Sequence, residues 1–226
     1  MKSEWVTMKA SDFIEFNPRL SLKKGTLATK IAMDKLQPFT KRIDITEKAL
    51  YSGGAKFCNG DTILARITPC LENGKTAFVD ILQEGEAGFG STEFIVMRAK
   101  EGVSDPQFVY YVAISPFFRE RAIKSMVGSS GRQRVQQSVI ENLELSVPPL
   151  QIQKEIGSFL SEIDKKIAVN NQINDNLYAQ AKAIFDNHFI NIDAIPARWR
   201  KGNLLDIANY LNGLAMQKFR PQGNEI

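Results

Sequence analysis

Histidine and cysteine are nearly missing from this chain: one and two, respectively, in 226 residues. A single imidazole, His188, with no nucleophile and base arranged around it, assembles no catalytic triad. It reads instead as a residue near a helix C-terminus, where its charged form suits the helix dipole. Cys58 and Cys70 are too few for a disulfide scaffold and lack metal-ligand spacing, so a reduced, cytosolic protein is the expectation. Carboxylates are scattered, with no cluster that suggests a metal. Long apolar runs are absent as well. A run such as "FVYYVAI" (Phe108–Ile114) is far short of the ~20 residues that cross a bilayer. The opening "MKSEWVTMKASDF" has no apolar segment of the secretory kind. Core-forming material is present in ordinary measure, at 43% hydrophobic and 24% charged residues, as in soluble globular domains. A net charge of +4 and a pI near 9.0 tilt the protein towards polyanionic partners.

Residues 1–148 read as a mixed α/β (α+β) domain. "DTILARI", "TAFVDIL" and "EFIVMRA" are short β-branched runs, and "FCNGD", "LENGK" and "GEAGFGS" supply turn chemistry between them. With few helices interposed, a largely antiparallel or mixed sheet is expected. A helix follows over "DPQFVYYVAISPFFRERAIKSMV", with Asp105 as its cap, Pro106 in its first turn and a break at Ser115 forced by Pro116. The loop "GSSGRQR" then leads through "VIENLELSV" to "PPL".

Proline disappears after Pro149. Residues 149–190 contain a run of some forty residues with one glycine and no proline. Ile156, Leu160, Ile163, Ile167, Asn170, Asn174, Leu177, Ala181, Ile184 and His188 recur there at alternating spacings of 4 and 3. That is the seam of a coiled-coil helix sustained over more than four heptads, a rod of roughly 60 Å. Such a stripe needs a partner helix from the same or another chain. Asn170 and Asn174 interrupt the apolar seam near its centre. Either the helices splay there and admit water, or the Asn pairs specify register at a cost in stability.

Residues 191–226 form a linker and the start of something new. "WVTMKASDF" at the N-terminus lays over "WRKGNLLDI", putting Trp5 on Trp199, Asp12 on Asp206, Leu20 on Leu214 and Lys24 on Lys218, each 194 residues on. The chain thus reads as one full repeat followed by the truncated beginning of a second, opened by a capping Asp206.

No motif carries catalysis. "PCLENGKT" approximates a phosphate loop but has Pro69 where the first glycine belongs, and a hairpin turn fits it better. "AGFGS" lacks a strand–helix frame and reads as a loop. "SVPPL" lacks the flanking polar and aromatic residues of amino-methyltransferase sites; there Pro-Pro ends a strand and opens a helix. The remaining candidates are for binding. Arg132, Gln133 and Arg134 are suited to base edges, and Ser129 and Ser130 to phosphates, unless that loop is merely solvated surface. Arg66 sits inside an otherwise apolar strand, facing solvent or a ligand cleft. Lys23, Lys24, Lys41, Arg42, Lys56, Lys75 and Lys124 add charge in turn-like segments; of these, Lys24 and Lys75 join the candidate DNA contacts.

"GDTILARITPCLENGKTAFV", "GSTEFIVMRA", "SGRQRV" and above all "VPPLQIQKEIGSFLSEIDKKIAVNNQINDNLYAQAKAIF" resemble the specificity subunit of type I restriction–modification enzymes, over essentially the whole chain. The resemblance implies two repeats, each a target-recognition domain followed by a long helix, with the helices paired antiparallel. It implies that the protein reads one half of a bipartite site in double-stranded DNA through loops in the major groove. It implies no catalysis and no cofactor of its own. S-adenosylmethionine and ATP would belong to the methyltransferase and restriction subunits that it scaffolds. Were the chain a natural half-subunit rather than a fragment, two copies would pair through their helices as an antiparallel homodimer. A coiled-coil assembly module that binds protein rather than DNA is the alternative reading; an enzyme with an unrecognised site has little behind it.

Overall fold

The β-branched runs become neighbouring strands, and Gly60, Gly74 and Gly85 take the positive φ of the expected turns. The structure is a computed structural model that describes residues 5–192 and 196–208. It divides into two compact units, Met1–Asn170 and Asn171–Ile226. In chain order the first unit contains β1 (Val6–Lys9), α1 (Ala10–Phe13), β2 (Ile14–Phe16), β3 (Leu27–Ile31), β4 (Glu47–Leu50), β5 (Lys56–Phe57), β6 (Thr62–Ala65), β7 (Thr76–Phe78), β8 (Gly88–Gly90) and β9 (Phe94–Ala99). Then come α2 (Pro106–Ile114), α3 (Pro116–Lys124), α4 (Gln137–Glu141) and β10 (Glu144–Val147), and α5 (Leu150–Phe185) begins.

The strands form three sheets rather than one. β2-β9-β6-β7 is antiparallel throughout. β4-β3-β8-β5 is mixed, with β3 and β8 parallel and the other pairs antiparallel. β1 and β10 make a separate antiparallel ribbon. Side chains of β9 alternate between two cores: Ile95 and Met97 join Phe13, Phe108 and Phe118, while Phe94 and Val96 join Ile31, Phe57 and Val79. The central sheet is therefore buried on both faces, which is why "TILA" and "FIVMRA" read as continuous apolar runs rather than as alternation. "PCLENGKT" is the connection of the β6–β7 hairpin, as expected, with Leu64 opposite Thr76.

"AGFGS" is not a loop. Gly88–Gly90 is β8, paired on both edges. A Cβ on Gly88 would lie 2.6 Å from the Phe57 ring, and one on Gly90 would lie 2.4 Å from the Ile31 carbonyl oxygen. Glycine is there to let neighbours approach, and that use is indistinguishable from a turn in sequence.

Ser115 is the hinge of the helical pair. It ends α2 and caps α3, where its side chain accepts the Phe118 N–H. Asp105 caps α2 by accepting the Phe108 N–H at 2.9 Å. After Pro148 and Pro149, α5 runs 36 residues without interruption, about 54 Å. Its first turns are seated in the first unit. The buried side chain of Gln153 accepts the Asp105 N–H and donates to the carbonyls of Val103 and Pro148 at 3.0, 3.1 and 2.9 Å. Gly157, the one glycine of α5, faces the N-terminus of α2.

In the second unit, α5 is followed by a π-helical turn, Asp186–Ile190, and the His188 imidazole donates to the Ile184 carbonyl at 2.9 Å. Trp199 stacks on Phe189, ring centroids 5.9 Å apart. A 3₁₀ turn at Leu204–Asp206 falls, at the 194-residue offset, on Ala10–Asp12 of α1. Its cap is Asn203; Asp206 is the reciprocal residue of the capping box and accepts the Asn203 N–H at 2.7 Å. Leu214 and Lys218 lie outside the described residues.

Candidate nucleic-acid interface

The loop between α3 and α4 is a small hairpin of its own. Val127 and Arg134 exchange backbone hydrogen bonds at 3.0 and 2.9 Å, so residues 128–133 form the tip. Arg132 N–H returns to the Ser129 carbonyl, and Gly131 adopts φ +77°, which glycine takes without strain. Ser129, Ser130 and Arg132 are exposed, and Gln133 is half-buried. The tip is fastened to the β6–β7 connection. Thr68 N–H donates to the Gln133 carbonyl, the Thr68 hydroxyl accepts the Gln133 N–H, and Val135 N–H donates to the Arg66 carbonyl.

This pairing brings Arg66 and Arg134 to one carboxylate, Glu93, at the entrance of β9. Arg134 donates to both Glu93 oxygens, with Nη2 2.7 Å from Oε1, and Arg66 Nε donates to Oε2 at 3.1 Å. The guanidinium of Arg134 first, and that of Arg66 second, hold the Glu93 carboxyl below its ordinary pKa. Arg66 does not lie within β6 but just past its end. From there it also lines a groove of about 560 Å³ with Asn17, Pro18, Arg19, Lys56 and Thr92. Three cations and no carboxylate line that groove among the described residues. The charged side chains of this concave surface are all basic, the complement of a polyanion, and Arg66 joins it to the arginine loop.

Ser129, Ser130, Arg132, Gln133, Arg134 and Arg66 are thus brought together. Lys75 and Lys24 are not joined to them by any hydrogen bond or ion pair among the described residues. Lys75 is half-buried and donates to the Met33 carbonyl at 2.9 Å; Lys24 is exposed in the turn before β3. Sequence reasoning missed Arg19 and Glu93, and Lys56 was noted only as ordinary turn charge.

The helix seam divides in two. Ile156 and Leu160 are half-buried and line an apolar groove of about 500 Å³ with Phe108, Tyr111 and Val147. From Ile163 onward the seam residues are exposed: Ile163, Ile167, Leu177 and Ile184 at 43 to 61%, together with Asn170, Asn174 and Ala181. No group of three or more candidate metal ligands occurs among the described residues. Nor is any helix there long and apolar enough to cross a membrane.

Residues 2–179 match the family model described as the type I restriction modification DNA specificity domain. The chain belongs to this family. It is 30% identical over 160 residues to the EcoAI specificity subunit of Escherichia coli, covering 68% of this chain and 26% of that protein. To the MjaVIII specificity subunit of Methanocaldococcus jannaschii it is 22% identical over 223 residues, covering 93% and 50%. Among solved structures, the HsdS subunit from Thermoanaerobacter tengcongensis superposes with a TM-score of 0.58 at 16% identity, over 86% of this chain and 51% of that one. A chain from a type I restriction–modification complex superposes at 0.59 and 16% identity, over 88% and 54%. The chain thus spans about a quarter to a half of the length of these relatives, and the shared fold is a mixed α/β head with a long helix.

Proposed function

We propose that this chain is the DNA-recognition element of a type I restriction–modification complex, reading one half of a bipartite site. The observation that carries the reading is the convergence of Arg66, Arg134 and the loop tip, Ser129 to Gln133, beside a groove lined by three cations. Phosphates sit along Arg19, Lys56 and Arg66, while Arg132, Gln133 and Arg134 meet base edges. The chain is not itself an enzyme. Methyltransferase subunits using S-adenosylmethionine and ATP-driven restriction subunits assemble on it, in the cytoplasm. Residues 1–148 read the DNA, 149–190 supply the spacing helix, and 191–226 hold a linker and the start of a second recognition domain. The exposed stripe from Ile163 to Ile184 supports helix pairing, with a second repeat or with a second copy in an antiparallel homodimer.

The test pairs the chain with its methyltransferase subunit and follows mobility shift of an enriched and a scrambled duplex across salt. Arg132→Ala and Arg134→Ala together should weaken the enriched duplex roughly 5- to 150-fold, on the ~1–3 kcal/mol carried by one good bidentate contact. An unchanged shift removes the loop from the interface. A wild-type complex that binds neither duplex leaves the assembly-module reading in its place.

A further inference from the structure

Glu93 is the only acidic side chain that touches either arginine of this cluster among the described residues. It is held from its own backbone as well. Its N–H donates to the Ser91 hydroxyl at 3.1 Å, and its carbonyl accepts the Arg66 N–H at 2.9 Å. The anchor is better buried than what it anchors: the Glu93 side chain is 21% exposed, against 44% for Arg134 and 35% for Arg66.

Arginine carries five N–H donors in a rigid fork. Glu93 occupies Nε and one donor of Nη2 on Arg134, which is the side edge of the fork. The end edge, Nη1 with the second donor of Nη2, is left, and its one further hydrogen bond among the described residues is from Nη1 to the Arg132 carbonyl at 3.4 Å. A bidentate pair within a three-charge cluster stabilises the loop pairing more than an isolated surface ion pair would, and the same geometry fixes which edge of Arg134 is left over. A guanidinium on a flexible stem loses rotamer freedom when it binds, and fixing it beforehand removes that cost from the bound state. Two guanidiniums brought together would also repel one another without an anion between them.

We propose that Glu93 is a positioning residue for base reading: it gathers Arg66 and Arg134 at one carboxylate and presents the end edge of Arg134 to a paired acceptor on a base, such as the O6 and N7 atoms of guanine. This rests on the reading of the chain as a DNA-recognition element. Its signature separates it from simple charge effects. Removing a negative charge from a basic surface strengthens non-specific attraction to the phosphate backbone, whereas releasing Arg134 weakens only the contact that reads a base.

The experiment uses the full chain with its methyltransferase subunit, a duplex enriched from a randomised pool, and a scrambled duplex of the same length. Glu93→Gln keeps the shape of the side chain and removes its charge. The enriched duplex is expected to bind roughly 5- to 100-fold more weakly, while the scrambled duplex binds as well as before or better, so discrimination collapses. In an Arg134→Ala background, Glu93→Gln should reduce discrimination no further. Equal tightening of both duplexes would mean that Glu93 only screens charge, and it overturns the proposal. So does a parallel loss on both duplexes with a lowered melting temperature, which is a folding defect. Full additivity with Arg134→Ala also sinks it. Those failures leave wild-type discrimination intact; failure of the recognition reading itself appears as a wild-type complex that enriches nothing.

Discussion

Alanine in place of Gly157 sets two effects of opposite sign against each other at the joint between α5 and the head. In an exposed helix interior, Gly→Ala stabilises by about 0.5–1 kcal/mol through the lost entropy of the unfolded chain. At position 157 an added Cβ meets Asp105 Oδ1 at 2.8 Å, Gln107 Cβ at 3.0 Å and the Phe108 nitrogen at 3.1 Å. The carboxylate is the end of a side chain, but it is not free to swing. Oδ1 is the acceptor that caps α2, and losing a cap costs about 1 kcal/mol. The Phe108 nitrogen is backbone and moves only with α2. Overpacking of this kind costs about 1–3 kcal/mol, so the steric effect wins and the net result is destabilisation by about 1–2 kcal/mol. For a domain of this size that lowers the melting temperature by about 2–4 °C per kcal/mol. Circular dichroism melts and guanidinium titrations of Gly157→Ala, Asp105→Ala and the double variant make the measurement. The double variant should be less destabilised than the sum of the singles, because the atom in closest conflict is gone. A Gly157→Ala protein as stable as the parent, or more so, would refute the claim that this glycine exists for the approach of α5 to α2.

Two further outcomes follow from single contacts. The Glu86 carboxyl is lowered from 4.5 to about 2, chiefly by the Lys48 ammonium and then the Thr29 hydroxyl. A depressed carboxyl contributes stability that is complete above the unfolded pKa and is lost as pH falls from about 4.5 towards about 2. Glu86→Gln should therefore flatten the fall of the urea midpoint across that window, and an unchanged slope would exclude the contact as its source. On the exposed stripe of α5, Ile167→Asp and Leu177→Asp should leave the melting temperature of the dilute, dissociated chain almost unmoved, since both sites are more than half exposed and surface changes stay within about 0.5 kcal/mol. Association measured by sedimentation should fall at least tenfold; variants that associate like the parent would remove the stripe as a pairing face.

Those parts of the fold were legible whose signal is local. β6, β7 and β9 announce themselves by β-branched runs between turns, and α2 and α3 by Asp105, Pro106 and Pro116 acting through nearest neighbours. β8 was invisible because its glycines answer to Phe57 and Ile31 rather than to their own backbone. β2 and β5 are three and two residues long, too short for any period to show. The site split along the same line. Arg66 stood out as a charge in an apolar run, and Arg132 to Arg134 as a basic loop. Glu93 did not, since its meaning depends on partners 27 and 41 residues away that only the pairing of two loops brings into reach. Gln153 looked like any polar helix residue, although it is buried at 2% exposure.

The joint also decides which way the beginning of the apolar stripe faces. On a helix, residues three and four apart share a side, so Gln153, Gly157, Ser161 and Asp164 form one row down α5. Every member of that row meets the head. Gln153 and Gly157 seat against the N-terminus of α2. Ser161 accepts from the Lys41 ammonium at 3.1 Å, and Asp164 accepts from the Tyr111 hydroxyl at 2.7 Å. Lys41 itself is enclosed, 4.7 Å from the centroid of the Tyr111 ring and about equally close to Phe78 and Tyr110. Burial lowers its pKa, with Asp164 opposing. With one row committed to the head, α5 cannot rotate about its axis without breaking contacts at four successive positions. The azimuth of Ile163 and Ile167, which lie on the adjoining face and stay exposed, is therefore fixed before any partner helix arrives. A partner then meets a preorganised stripe, and the entropy of orienting it has already been met in folding the head.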